Sequence, residues 1–260
     1  MALARWFFQL FWIGVCATAM LWQTHLLLNT PAPSFWLCGF VFSATVFAYN
    51  FSAPPRRRWP AWGFGLLAGF CFLELTVVHQ LTVFLPALIW LLYYDRYRPG
   101  QGTGLRDYPA LKPVAIALAW AGVTVLLPVP LQAWTGAVLL FVGRAAFIFA
   151  LALAYDLSDQ PYDIRHGLNT LVLKIGPRQT FRLIDVALLL TALCAGAQVL
   201  LGIIALAAGI ALCISLLFSA VAVRRVLART GWPGWRKAGI DGLMVLQLLL
   251  IWISLILERG

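Results

Sequence analysis

Long apolar runs separated by short polar breaks make up most of the chain. A helix crosses the hydrocarbon of a bilayer with about 20 consecutive apolar residues. On that measure the sequence predicts about nine spans, at roughly 6–28, 34–52, 61–78, 80–94, 114–130, 135–155, 180–200, 202–222 and 238–257. The fourth is short, and only His79 and Gln80 set it off from the third. The seventh and eighth meet at Gly202 with almost no loop. A membrane β-barrel would show short alternating segments instead. The pattern predicts an all-α polytopic membrane protein, with residues 1–260 forming a single integral-membrane domain.

Composition agrees with the pattern. Hydrophobic residues make up 62% of the chain and charged residues 11%, against about half and about a quarter in soluble domains. Those values exclude a soluble enzyme, a disordered chain and a disulfide scaffold. The five cysteines lie inside apolar runs without a CxxC pair, as core thiols do.

The net charge of +10 would suit nucleic acid, but its placement points to a membrane. Nearly all of the 19 Lys and Arg residues sit at the N-terminus (Arg5) or follow an even-numbered span. Arg56, Arg57 and Arg58 follow span two; Arg96, Arg98, Arg106 and Lys112 follow span four. Arg165, Lys174, Arg178 and Arg182 follow span six; Arg224, Arg225, Arg229, Arg236 and Lys237 follow span eight. The connections after spans one, three and five carry none. The positive-inside rule then puts the N-terminus and the basic loops in the cytoplasm, with the chain in the cell (inner) membrane and no nucleic-acid partner. Ala17-Thr18-Ala19 has the look of a signal-cleavage site, yet the apolar run continues to Leu28, beyond an ordinary signal core, and reads as a span.

Charges inside spans are costly and usually paired or functional. Arg144 falls near the middle of span six and Glu74 deep in span three. Both lie roughly 18–20 Å from the basic ends at 1.5 Å per residue, so an ion pair, or a polar floor under a cavity, is expected. Gln9, Gln23, His25, Asn50 and Gln247 read as interhelical hydrogen-bonding groups. Asp185 reads as the partner of Arg182 one turn away. Asp241 reads as a helix-start charge near Lys237. Gly65 and Gly69 form a GxxxG that permits close helix packing.

Two basic-side segments carry candidate chemistry. In Tyr155–Thr170, Asp156, Asp159 and Asp163 have the spacing of one helix face. Three such carboxylates repel one another unless a cation sits between them, and hard oxygens suit Mg²⁺. Pro161 is expected to break that helix, so Asp159 equally reads as the cap of a new one. Before span five, Tyr108-Pro109-Ala110-Leu111-Lys112 puts a lysine at a helix start. There it is a snorkelling anchor or a point charge for phosphate.

These strings carry a resemblance. Asp156, Asp159 and Asp163, followed by Gly167, Thr170 and Gly176, resemble the second aspartate-rich motif of the UbiA superfamily of intramembrane prenyltransferases. Tyr108, Pro109 and Lys112 are similar to that family's motif before its fifth helix. The resemblance implies a nine-helix bundle around a central cavity open to lipid. It implies Mg²⁺-dependent transfer of an isoprenoid group from a prenyl diphosphate to an aromatic or lipid-soluble acceptor. It makes Asp156, Asp159 and Asp163 the metal ligands, Asp159, Asp163 and Tyr108 the catalytic set, and Lys112, with Tyr108, the contact to diphosphate. Phe40, Phe70, Phe72 and Trp90 would line the pocket.

The family's first motif, N-D-x-x-D, belongs at the end of helix two. Asn50 is kept there, but Phe51 and Pro54 replace the aspartates. Arg56, Arg57 and Arg58 then become candidates to clamp diphosphate directly beside Asn50, since arginine binds phosphate bidentately. The loss leaves two other readings open: altered chemistry, such as diphosphate lysis or terpene cyclisation, and a catalytically inactive membrane partner.

Overall fold

The computed structural model describes residues 2–51, 59–93, 108–165, 167–228 and 233–259. Nine α-helices cover these described residues: α1 Ala2–Leu28, α2 Phe35–Phe51, α3 Trp59–Leu73, α4 Val77–Tyr93, α5 Leu111–Ala121, α6 Trp134–Arg165, α7 Leu171–Leu200, α8 Leu206–Ala228 and α9 Pro233–Arg259. A π-helical turn, Gly122–Leu126, extends α5. Arg56, Arg57 and Arg58 lie outside the described residues.

Local chemistry sets the helix ends. Asn29 takes a left-handed φ of 49° just after α1, a role Asn tolerates at a C-terminal cap. Before α2 the Ser34 hydroxyl accepts the Leu37 N–H at 3.1 Å. Between α3 and α4 the break falls at Glu74–Thr76, not at His79-Gln80. Thr76 Oγ1 accepts the His79 N–H at 3.4 Å, and Gln80 Nε2 donates back to the Phe72 carbonyl at 3.0 Å. The polar pair taken from sequence as the break therefore forms the first turn of α4. Glu74 sits exposed in the turn, which removes the expected Glu74–Arg144 ion pair.

Two further departures matter for the site. α6 runs through Pro161 to Arg165 instead of ending there, so Asp156, Asp159 and Asp163 do share one continuous helix. α7 begins before the predicted span and kinks at Gly176, whose φ of 77° suits only glycine.

The helices pack as neighbours in sequence, α2 on α3, α6 on α7 and α8 on α9, while α9 returns to cover α1. Cys16, Met20 and Leu21 of α1 are fully buried. Outward faces of α3, α4, α7 and α8 carry exposed Leu66, Leu81, Phe84, Leu189, Leu193 and Leu217. In water such an apolar belt would be an aggregation liability; in hydrocarbon it is the expected surface. Five helices are long and apolar enough to cross a membrane, and the apolar α2, α3, α4 and α5 with its π turn are shorter. The chain is an integral membrane protein.

Candidate functional site

The five N-terminal helices enclose a cavity of about 530 Å³, within the 300–1,000 Å³ range of ligand sites. Its wall alternates aromatic rings with small residues: Phe40, Phe47, Phe72, Trp90 and Trp120 against Ala44, Gly65, Ala68 and Gly69. Gly65 packs on Phe47, whose ring stands 2.9 Å from where a Cβ would sit. A Cβ at Gly69 would meet nothing within 4 Å. Of the GxxxG pair, only Gly65 thus serves close packing. Phe70 is exposed and stacks edge-on against Trp36 instead of lining the cavity. The π turn contributes Val123 and Thr124 to the wall, and Thr24 Oγ1 donates to the Thr124 carbonyl at 2.6 Å.

At one end the cavity turns polar, through Tyr49 and Tyr93. Tyr49 accepts a hydrogen bond from Trp120 Nε1 at 3.1 Å. Tyr93 lies within electrostatic range of Lys112. Lys112 Nζ is bonded to Asp156 Oδ1 at 2.5 Å, with the two side chains 21% and 8% exposed. The second oxygen, Asp156 Oδ2, is buried without a hydrogen-bond partner. Asp163, two turns along α6, is buried and acts on the same lysine charge. Lys112 lies about one turn before Ala115 and Ile116 of the cavity wall, paired with Asp156 and within electrostatic range of Tyr93 and Asp163.

The remaining sequence candidates sit around this pair with varying closeness. Asp159 is half-buried on the same helix. The side chain of Tyr108 is exposed, and its carbonyl accepts the N–H groups of Leu111 and Lys112 at 3.0 and 3.1 Å. Tyr108 thereby sets the start of α5 and the position of Lys112. Asn50 is buried; its Nδ2 donates to the Val46 carbonyl at 3.0 Å, and Oδ1 has no partner. Phe51 stacks with Phe47, Trp62 and Trp90, at centroid distances of 5.4, 6.0 and 5.9 Å. Phe51 thus backs Phe47 and Trp90, two rings of the cavity wall.

Asp241 was given only a local role by its sequence context. The structure buries it, and Tyr155 donates its hydroxyl hydrogen to Asp241 Oδ2. Asp241 also lies within electrostatic range of Tyr49 and Cys16. Its α9 and the α6 of Tyr155 are 86 residues apart, beyond any spacing rule. The one available signal is an acidic residue entering an apolar run. Asp185, likewise, pairs with Arg224 across helices at 2.5 Å and not with Arg182.

Among the described residues, no three His, Cys, Asp or Glu side chains converge to hold a metal. The three α6 aspartates share a face without meeting at a point. Mg²⁺ usually takes one or two carboxylates together with substrate phosphate oxygens. The partnerless Asp156 Oδ2 and buried Asp163 fit an ion arriving with a diphosphate; they do not fit a cage made by protein alone.

No protein-family profile matches the sequence, and no curated protein matches it. Solved structures do match. One, described as a digeranylgeranylglyceryl phosphate synthase in membranes, is 14% identical, with a TM-score of 0.60 over 99% of this chain and 98% of its own. Another, an apo UbiA homologue from Aeropyrum pernix K1, is 16% identical, with a TM-score of 0.61 over 95% of this chain and 98% of its own. At such identities the likeness is one of fold, and it spans both chains nearly end to end.

Proposed function

Starting from this UbiA-type helical membrane bundle, we propose that the chain is an intramembrane prenyltransferase. It moves an isoprenoid group from a prenyl diphosphate to an aromatic or lipid-soluble acceptor, and residues 1–260 work as one unit. The observation that carries the reading is the aromatic cavity of about 530 Å³ together with the Lys112–Asp156 pair, about one helical turn before Ala115 of its wall. An apolar tail fits the cavity, and a charged head fits that pair. The basic side, with the motif segments, faces the cytoplasm of the inner membrane on the charge alternation along the chain.

Transfer begins when the carbon–oxygen bond to diphosphate ionises, so charge must be stabilised on the leaving group. Lys112 presents its ammonium there, held by Asp156 Oδ1. Asp156, Asp159 and Asp163 are the residues that would hold Mg²⁺; when bound, that ion adds positive charge to the leaving oxygens. Tyr108 fixes the lysine from behind through its carbonyl. Asn50, and Arg56, Arg57 and Arg58 on sequence position alone, complete the diphosphate contacts. The allylic cation left behind needs a dry space and aromatic faces, which Phe40, Phe47, Phe72 and Trp90 supply. Exclusion of water from this wall keeps the cation for the acceptor.

The test uses the full chain in detergent and farnesyl thiolodiphosphate, with and without Mg²⁺, read as the shift in unfolding temperature. Wild type should be stabilised by the analogue, more so with Mg²⁺, and Lys112→Met should lose the shift. Removing the lysine leaves Asp156 buried and unpaired, a cost of about 3–5 kcal/mol, so Lys112→Met/Asp156→Leu should recover stability without recovering binding. An unchanged analogue shift in Lys112→Met overturns the assignment. With true prenyl diphosphates, products formed without acceptor would reassign the reaction to lysis or cyclisation.

A further inference from the structure

A second polar site lies in the other half of the bundle, away from the prenyl cavity and independent of it. Arg144 of α6 is 3% exposed and stands roughly 15 Å into that helix at 1.5 Å per residue. A guanidinium has five N–H donors. Among the described residues, Arg144 donates to one acceptor, the Met20 carbonyl of α1, at 3.0 Å from Nη1. No described carboxylate is within ion-pair distance of it.

Arg144 lines a cavity of about 20 Å³ together with Thr191 and Gln198 of α7 and Gln247 of α9. Gln198 Nε2 donates to the Cys194 carbonyl at 3.1 Å, and Gln247 Nε2 donates to Ser215 Oγ at 3.0 Å. Each amide nitrogen keeps a second hydrogen. The Gln198 oxygen is closed off without a partner, so the NH₂ group is the polar end of Gln198 that can reach the space. Both glutamines are about 99% and 98% buried, at 1% and 2% exposure.

We propose that this cavity is a binding site for a single halide-sized anion, of the chloride class, held by Arg144 with the free amide hydrogens of Gln198 and Gln247. The volume limits the ligand. A cavity of 10–15 Å³ takes about one water, so one of about 20 Å³ suits a ligand of about the size of a water or a monatomic ion. Charge chooses between water and ion. An unpaired cation is costly in the membrane interior; a water of similar size leaves that charge in place, and a halide cancels it. Arg144, Gln198 and Gln247 are the lining residues that carry side-chain N–H groups, the donors an anion requires.

Thermal unfolding of the full-length protein in detergent tests this, comparing sodium chloride and bromide with gluconate at constant ionic strength. The halides should raise the unfolding temperature in a saturable way. Gln198→Leu removes one hydrogen bond to a charged group, worth about 1.5–3 kcal/mol, and should raise the half-saturating halide concentration roughly tenfold or more. Arg144→Met should abolish the halide response. Crystals grown in bromide should show an anomalous peak between Arg144 and Gln198. If Arg144→Met fails to fold, the Gln198→Leu titration and the bromide peak decide. Equal stability in gluconate and chloride, a halide response that persists in Arg144→Met or is unmoved in Gln198→Leu, or ordered water without bromide at the site overturns the proposal.

Discussion

The two halves of this bundle solve the same packing problem in opposite ways. Helices α1–α5 surround a cavity of about 530 Å³; helices α6, α7, α8 and α9 line one of about 20 Å³. Two small residues, Gly69 and Gly143, illustrate the contrast. In the open half Gly69 and Ala44 face the cavity and make room. In the closed half Gly143 lets α7 approach so near that a Cβ there would stand 3.2 Å from Cys194 Cβ, and Thr191 Oγ1 donates to the Gly143 carbonyl at 3.1 Å. Gly143, like Gly65, is thus a contact point, whereas Gly69 makes a void.

Leucine at each position breaks or sharpens that contrast. Gly143→Leu should give the largest effect, because overpacking a closed contact costs typically 1–3 kcal/mol and sometimes more. Its unfolding temperature should fall well below wild type, and an unchanged value would mean that the two helices part easily. Gly69→Leu should act in the reverse sense. Relief of helix-interior glycine contributes about 1 kcal/mol, so stability should hold or rise while binding of farnesyl thiolodiphosphate weakens as the side chain fills the wall. Stability and binding falling together would show that Gly69 is structural. The smallest effect belongs outside both cavities. Asp185→Asn removes a pair with Arg224 whose side chains are each 46% exposed, and such surface pairs contribute about 0–1 kcal/mol. A chemical-denaturation midpoint should barely move.

Legibility followed distance along the chain. The apolar runs gave the helices, since each span needs only its own residues, and the boundary at Gly202 falls in the turn between α7 and α8. The Lys112–Asp156 meeting was legible only through the resemblance of two segments; nothing in either segment alone says that they touch. Two local rules fail in this buried setting. Pro161 removes one N–H, but the packed α6 continues past it. Equal depth points Arg144 to a carboxylate, whereas its acceptor is the Met20 backbone carbonyl, and every residue offers one of those. Asp241 with Tyr155 was invisible for the converse reason. Its near neighbours Lys237 and the helix start suffice to explain an aspartate, so sequence context gave no cause to look 86 residues away.

The unbroken course of α6 makes its acidic face a fixed ruler. At 32 residues and 1.5 Å per residue the helix is about 48 Å long, well beyond a hydrocarbon thickness of about 30 Å. Its last turns therefore stand clear of the lipid as a post, with Asp156 and Asp163 held about 10 Å apart along the axis. A flexible loop could shape itself to head groups of several sizes, but a post cannot. One residue inserted between Leu157 and Tyr162 would swing Asp163 by about 100°, away from Lys112, with every side chain of the motif still present.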